Sequence, residues 1–130
     1  MIILVVTDNV QLFDLIPEMI EQVFPGSEAY GSIRAEDAFS ALSSRMRFDQ
    51  VWSDLDLNSK EFTGIDVLVR AKKESPGAKT VLMSGNFNKA DVVKRIGLGG
   101  IEMAKQQGID ETLQKPFGLK EIKQLASSLQ

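Results

Sequence analysis

ILVVTDN, residues Ile3–Asn9, opens on an apolar, largely β-branched run that leads into Thr7-Asp8. With Ile2 before it, Ile2–Val6 shows no apolar–polar alternation, which marks a strand buried on both faces, as in a parallel sheet. Three later runs end in a similar way. Gln50–Ser53 leads into Asp54, Lys79–Met83 into Ser84, and Ile109–Gln114 into Lys115-Pro116-Phe117. Two carboxylates, a hydroxyl and an ammonium therefore fall at the C-terminal ends of strands. In a parallel α/β sheet those ends share one edge, where such folds build their ligand sites.

Helical periodicity fills the gaps. Val10–Phe24 carries Leu12, Phe13, Ile16, Ile20, Val23 and Phe24 at helical spacing, with Pro17 expected to kink it. Glu28–Ile33 reads as a weak second strand. Glu36–Arg45, Gly64–Glu74 and Leu119–Leu129 read as helices. Lys89–Gln107 is helical in part, but Gly97, Gly99 and Gly100 interrupt it, so it reads as two helices or one bent one. Strands alternating with helices predict a five-stranded parallel sheet covered on both faces, in one domain over residues 1–130.

Composition narrows the chemistry. The chain has no cysteine and no histidine, which excludes disulfides, thiolate zinc sites, imidazole ligands and histidine general bases. A metal must then be held by oxygen, which favours Mg²⁺, Ca²⁺ or Mn²⁺. A net charge of −3 offers no broad positive field and argues against nucleic acid as a partner. No basic leader precedes the first strand and no apolar stretch approaches the roughly 20 residues of a membrane span, so the expected location is cytoplasmic.

Asp8 and Asp54 at neighbouring strand ends suit a hard divalent cation, because the ion relieves their mutual repulsion. One carboxylate can also act as a nucleophile toward phosphorus, with Lys115 and Ser84 set to meet phosphoryl oxygens. Taken singly, each residue has a plainer reading. Asp8 can cap the following helix, Asp54 can sit in a turn, and Ser84 and Lys115 can be solvated loop residues. Their conjunction, in order at matching strand ends, carries the argument.

Ile3–Asn9, Ser53-Asp54 with Gly64, Met83-Ser84-Gly85 and Lys115-Pro116-Phe117 together resemble the receiver domain of bacterial two-component response regulators. The resemblance spans essentially the whole chain. It implies a doubly wound, CheY-like (flavodoxin-like) α/β/α fold with strand order 2-1-3-4-5. It implies that Asp54 is the phospho-acceptor, that Lys115 binds the phosphoryl group and that Ser84 is the switch hydroxyl. Mg²⁺ would be held by Asp8, Asp54 and the backbone carbonyl of Asp56. A histidine kinase or phosphotransfer domain would donate the phosphoryl group. A downstream protein would read the face from the fourth helix to the fifth strand. No enzymatic turnover is implied beyond self-phosphorylation and autodephosphorylation at Asp54. Asp56 and Asn86 would flank the path of the hydrolytic water.

The chain departs from that pattern at four places. Thr7 stands where the first acid of an acidic pair is usual, which makes it a doubtful metal ligand. The loop after Asp54 is longer, with Asn58 where proline is common. Thr112 replaces the aromatic three residues before the lysine. The segment between Ser84 and Lys115 is enlarged, chiefly between Asn86 and Gly100. These departures support an alternative, a pseudo-receiver that binds proteins without phosphorylation. Asp54-Leu55-Asp56 also resembles the D-x-D of haloacid dehalogenase phosphatases, but it follows the third strand rather than the first. A flavin site lacks a hydroxyl- and glycine-rich cradle in Thr7–Asp14.

Overall fold

Five parallel strands pair in the order β2-β1-β3-β4-β5 in this computed structural model, which describes residues 1–129. They are β1 (Ile2–Val6), β2 (Glu28–Ser32), β3 (Gln50–Asp54), β4 (Lys79–Ser84) and β5 (Glu111–Gln114). The helices are α1 (Leu12–Val23), α2 (Ala35–Leu42), α3 (Gly64–Glu74), α4 (Ala90–Ile96), α5 (Gly100–Gln106) and α6 (Leu119–Ala126), followed by a 3₁₀ turn at Ser127–Leu129. This is the doubly wound α/β/α order expected from the sequence.

Strand side chains alternate between two cores. Ile3, Val5, Trp52, Val81, Met83 and Leu113 pack with Ile16 and Ile20 of α1 and Ile122 of α6. Leu4, Val6, Val51 and Leu82 pack on the opposite face, against α2, α3, Val92 of α4 and Ala104 of α5. Full burial of a large aliphatic side chain contributes roughly 1.5–3 kcal/mol. The two cores therefore fix the strand register, and with it the strand ends.

Several boundaries differ from the sequence reading, each for a local reason. Helix α2 stops at Leu42 rather than Arg45, because the Ser44 hydroxyl turns back to donate to Ala41 O at 2.6 Å and accepts from Met46 N. Strand β5 begins at Glu111 rather than Ile109. The Ile109 N–H donates to Ala104 O and the Asp110 N–H to Thr80 Oγ1, so neither joins the ladder. Helix α1 is continuous through the buried Pro17, and it starts at Leu12 after an Asn9 side chain that accepts from Gln11 N. Asn9, not Asp8, therefore serves the start of that helix.

The glycine-rich segment resolves into two helices. Gly97 ends α4 in the left-handed region, at φ +84°, where a side chain is strained. The glycines lie at and between the helix ends rather than in an interior.

Candidate functional site

Strand ends β1, β3, β4 and β5 converge as expected. Asp54 is the last residue of β3 and Ser84 the last of β4, while Asp8 and Lys115 lie just beyond β1 and β5. A polar cleft of about 300 Å³ is lined by Asp8, Asp54, Asp56, Ser84, Lys115 and Lys89, with Asn9, Asn58 and Asn86 at its walls. Asp8, Asp54, Asp56, Ser84, Asn86 and Lys115, expected at the site, all line it; Thr7 is fully buried beside it, and Thr112 is not among the lining residues.

Gly64 is needed here. A Cβ at this position would strike the Asp54 carbonyl and the Ser53 hydroxyl, so only glycine lets α3 start against the end of β3. The Gly64 N–H donates to Leu55 O at 2.8 Å. A capping box between Thr63 and Asp66 secures the same helix end.

Asp54 is only 3% exposed, and each of its carboxylate oxygens has a partner. Oδ2 accepts from the Thr7 hydroxyl at 2.6 Å. Oδ1 lies 2.5 Å from Lys115 Nζ in an ion pair, and no hydrogen bond of good angle reaches it. Lys115 is held by its backbone, since its N–H donates to Ser84 O at 2.9 Å. Gln114 ties the β4 and β5 loops by donating to Gly85 O and to its neighbour's carbonyl, Lys115 O. The Ser84 hydroxyl accepts from Asn86 N at 3.0 Å, which leaves its own proton available toward the cleft.

The other two carboxylates are held differently. Asn58 donates its side-chain N–H to Asp8 Oδ2. Asn58 adopts φ +52°, a left-handed conformation that asparagine tolerates and proline cannot reach. The exchange of proline for asparagine thus has a local cause. Burial, followed by the nearby Asp54 charge, pushes the Asp8 carboxyl above its usual range. Asp56 accepts from Asn58 N through Oδ1 and pairs with Lys89 Nζ at 2.5 Å through Oδ2. The Lys89 hydrogen bond holds the Asp56 carboxyl below its usual range, against its partial burial.

Among the described residues no three acidic side chains gather as a ready-made metal cage. The donors present still fit a hard cation that keeps several waters. They are all oxygen, and the Asp54 charge adds to burial in raising the Asp8 carboxyl, a repulsion that a cation between the two would relieve.

Lys89 escaped the sequence reading. A lysine just before a helix opposes the helix dipole, and that mismatch was its one available signal. Asp110, an acid that falls before the last strand rather than at a strand end, serves the fold and not the site. Its carboxylate lies away from the cleft and accepts from Lys72 Nζ, Thr80 N and the Thr80 hydroxyl, tying α3 and β4 to the start of β5.

The fold recurs in solved structures. The chain is similar to a CheY-like response regulator receiver domain protein from Methanospirillum hungatei JF-1, with TM-score 0.76 and 20% identity over 98% of this chain and 92% of that one. It is similar to a response regulator receiver domain protein from Clostridium thermocellum, with TM-score 0.74 and 20% identity over 98% and 93%. A response regulator from Burkholderia pseudomallei, solved with a phosphorylated aspartic acid, a calcium ion and citrate, matches with TM-score 0.67 and 18% identity over 99% and 66%. No protein-family model matches the chain, and no curated protein matches it either. The fold is that of the CheY-like receiver domains, as the residue pattern implied. Among the described residues no helix is long and apolar enough to cross a membrane.

Proposed function

We propose that this chain is a receiver-type signalling domain that takes a phosphoryl group onto Asp54 from a phosphohistidine of a histidine kinase or phosphotransfer domain. The observation that carries the reading is the nearly buried Asp54 carboxylate faced by the Lys115 ammonium at the ligand-bearing edge of the sheet. In this reading one Asp54 oxygen attacks phosphorus, the P–N bond to the donor imidazole breaks, and the departing nitrogen takes a proton from solvent. Lys115 neutralises the phosphoryl oxygens, and the Ser84 hydroxyl donates to one of them.

Asp8, Asp54 and the Asp56 carbonyl would hold Mg²⁺, which supplies further neutralisation of the phosphoryl charge. Asp56 and Asn86 line the cleft and would govern access of hydrolytic water. The reading includes no turnover on other substrates, a cytoplasmic setting, no nucleic acid, and a downstream protein that reads the face from α4 to β5.

The test is intact mass after exposure to phosphoramidate or acetyl phosphate with Mg²⁺. The wild type should gain one phosphoryl unit and Asp54→Asn none. A gain that survives in Asp54→Asn moves the acceptor elsewhere.

One observation favours a second reading. Both Asp54 oxygens are already engaged, one by a threonine where an acid is usual, which suits a pseudo-receiver that binds partners without phosphorylation. Absence of any mass gain with either donor would select it.

A further inference from the structure

Lys89 places a second ammonium in the cleft. It immediately precedes α4, yet its side chain reaches across to Asp56 on the loop after β3, with Nζ 2.5 Å from Oδ2. Asp56 does not depend on Lys89 for its position, because its other oxygen accepts from Asn58 N at 3.0 Å. The Lys89 charge is felt beyond its partner. Its ammonium is stabilised mainly by Asp56, next by Asp91 on its own helix, and least by Asp8 across the cleft. Three carboxylates, Asp8, Asp54 and Asp56, thus share the cleft with two ammoniums, and Thr7 supplies a neutral hydroxyl behind them.

The two lysines stand in different places. Lys115 neutralises Asp54 in the interior, where its side chain is 20% exposed. Lys89 neutralises the Asp56 side at the mouth, where its own side chain is 49% exposed. A divalent cation held by Asp8 and the Asp56 backbone would meet the Lys89 charge at close range, and like charges repel.

We propose that Lys89 is a tethered counter-ion that competes with a divalent cation for the Asp8 and Asp56 side of the cleft. Cation binding then requires the Lys89–Asp56 pair to open. Opening it releases the side chain that anchors the start of α4 to the β3 loop, so occupancy of the cleft is transmitted to the enlarged α4–α5 segment. This inference rests on the cation role proposed above, but not on phosphorylation of Asp54.

Mg²⁺ titrations followed by calorimetry and by amide NMR test it, on the intact chain and on Lys89→Met and Lys94→Met. Lys89→Met should bind Mg²⁺ about two- to fivefold more tightly, a modest gain because solvent screens a half-exposed pair. Lys94→Met removes the same charge from an exposed position on the same helix and should leave affinity unchanged. In the wild type, Mg²⁺ should shift the amides of Ala90–Ile96, and in Lys89→Met those shifts should shrink. Equal affinity in wild type and Lys89→Met overturns the proposal, and so does absence of Mg²⁺ binding by both. Phosphoramidate labelling separates the two readings. Labelling of Asp54 with no gain in Mg²⁺ affinity sinks the counter-ion and keeps the receiver. Tighter Mg²⁺ binding without labelling does the reverse.

Discussion

The Thr7 hydroxyl donates to Asp54 Oδ2 at 2.6 Å, across 47 positions of sequence, and both residues are buried. A threonine at the end of β1 therefore does not simply subtract a charge from the site. It orients the Asp54 carboxylate and shares one of its oxygens. The other oxygen is left to Lys115, so the resting carboxylate is held from two sides.

Replacing Thr7 by valine keeps the shape and deletes the hydroxyl. The buried Asp54 oxygen then loses a hydrogen bond to a charged acceptor, which costs about 1.5–3 kcal/mol. Urea unfolding at neutral pH should show this loss, and Thr7→Ser should recover most of it. Thr7→Asp should act differently: two facing carboxylates lower stability without Mg²⁺, and added Mg²⁺ should raise the melting temperature more than in the wild type. An unchanged Mg²⁺ response in Thr7→Asp argues against a cation at this edge.

Lys115→Met retains the aliphatic stem and strands the Asp54 charge. Removing one partner of a buried ion pair typically costs about 3–5 kcal/mol, and the partial exposure of Lys115 places this case near the lower end. Asp54→Asn in the same background should return most of the loss. A double-mutant cycle with no coupling between the two positions contradicts the pairing.

The Asp8 carboxyl should titrate above the ordinary aspartate value of 3.8, chiefly from burial and next from the Asp54 charge. Carbon-detected NMR of Asp54→Asn should find Asp8 titrating at lower pH than in the wild type, yet still above the ordinary aspartate value, because burial remains. For a carboxyl raised on folding, the sign is a loss of stability. The loss sets in as pH rises past 3.8 and is complete above the raised value.

Asp110 behaves in the opposite sense. Burial alone would raise its carboxyl, but the hydrogen bonds from Lys72 and Thr80 outweigh that and hold it below the usual range. Its stabilisation is therefore present above the ordinary aspartate value of 3.8 and is lost as pH falls through the lowered one. Asp110→Ala should cost about 2 kcal/mol at neutral pH, since it leaves the Thr80 donors unpaired. Stability measured across acidic pH should show the difference from wild type shrinking as acid is added.

Thr112 occupies the place of an aromatic in the receiver pattern, and it is too small to act as a rotating ring. Binding of beryllofluoride at Asp54 should therefore alter hydrogen exchange in the segment 86–107 more than at Thr112. Unchanged exchange there, with the mimic demonstrably bound, makes the segment an inert insertion and favours the pseudo-receiver.

The alternation of strands and helices, and the order in which Asp8, Asp54, Ser84 and Lys115 reach the sheet edge, were legible in the sequence. Buried β-branched runs and helical periodicity are local signals, and a parallel sheet brings its strand ends to one side without further instruction. The pairing of Lys115 with Asp54 was expected from the receiver resemblance, but the other contacts in and around the site were not legible. Thr7 with Asp54, Asn58 with Asp8, Lys89 with Asp56, and Asp110 with Thr80 each join residues at least 30 positions apart. Such contacts follow no period. They depend on strand order, on loop conformations such as the left-handed Asn58, and on the direction each side chain takes from its backbone, all of which exist only once the two cores have closed around the sheet.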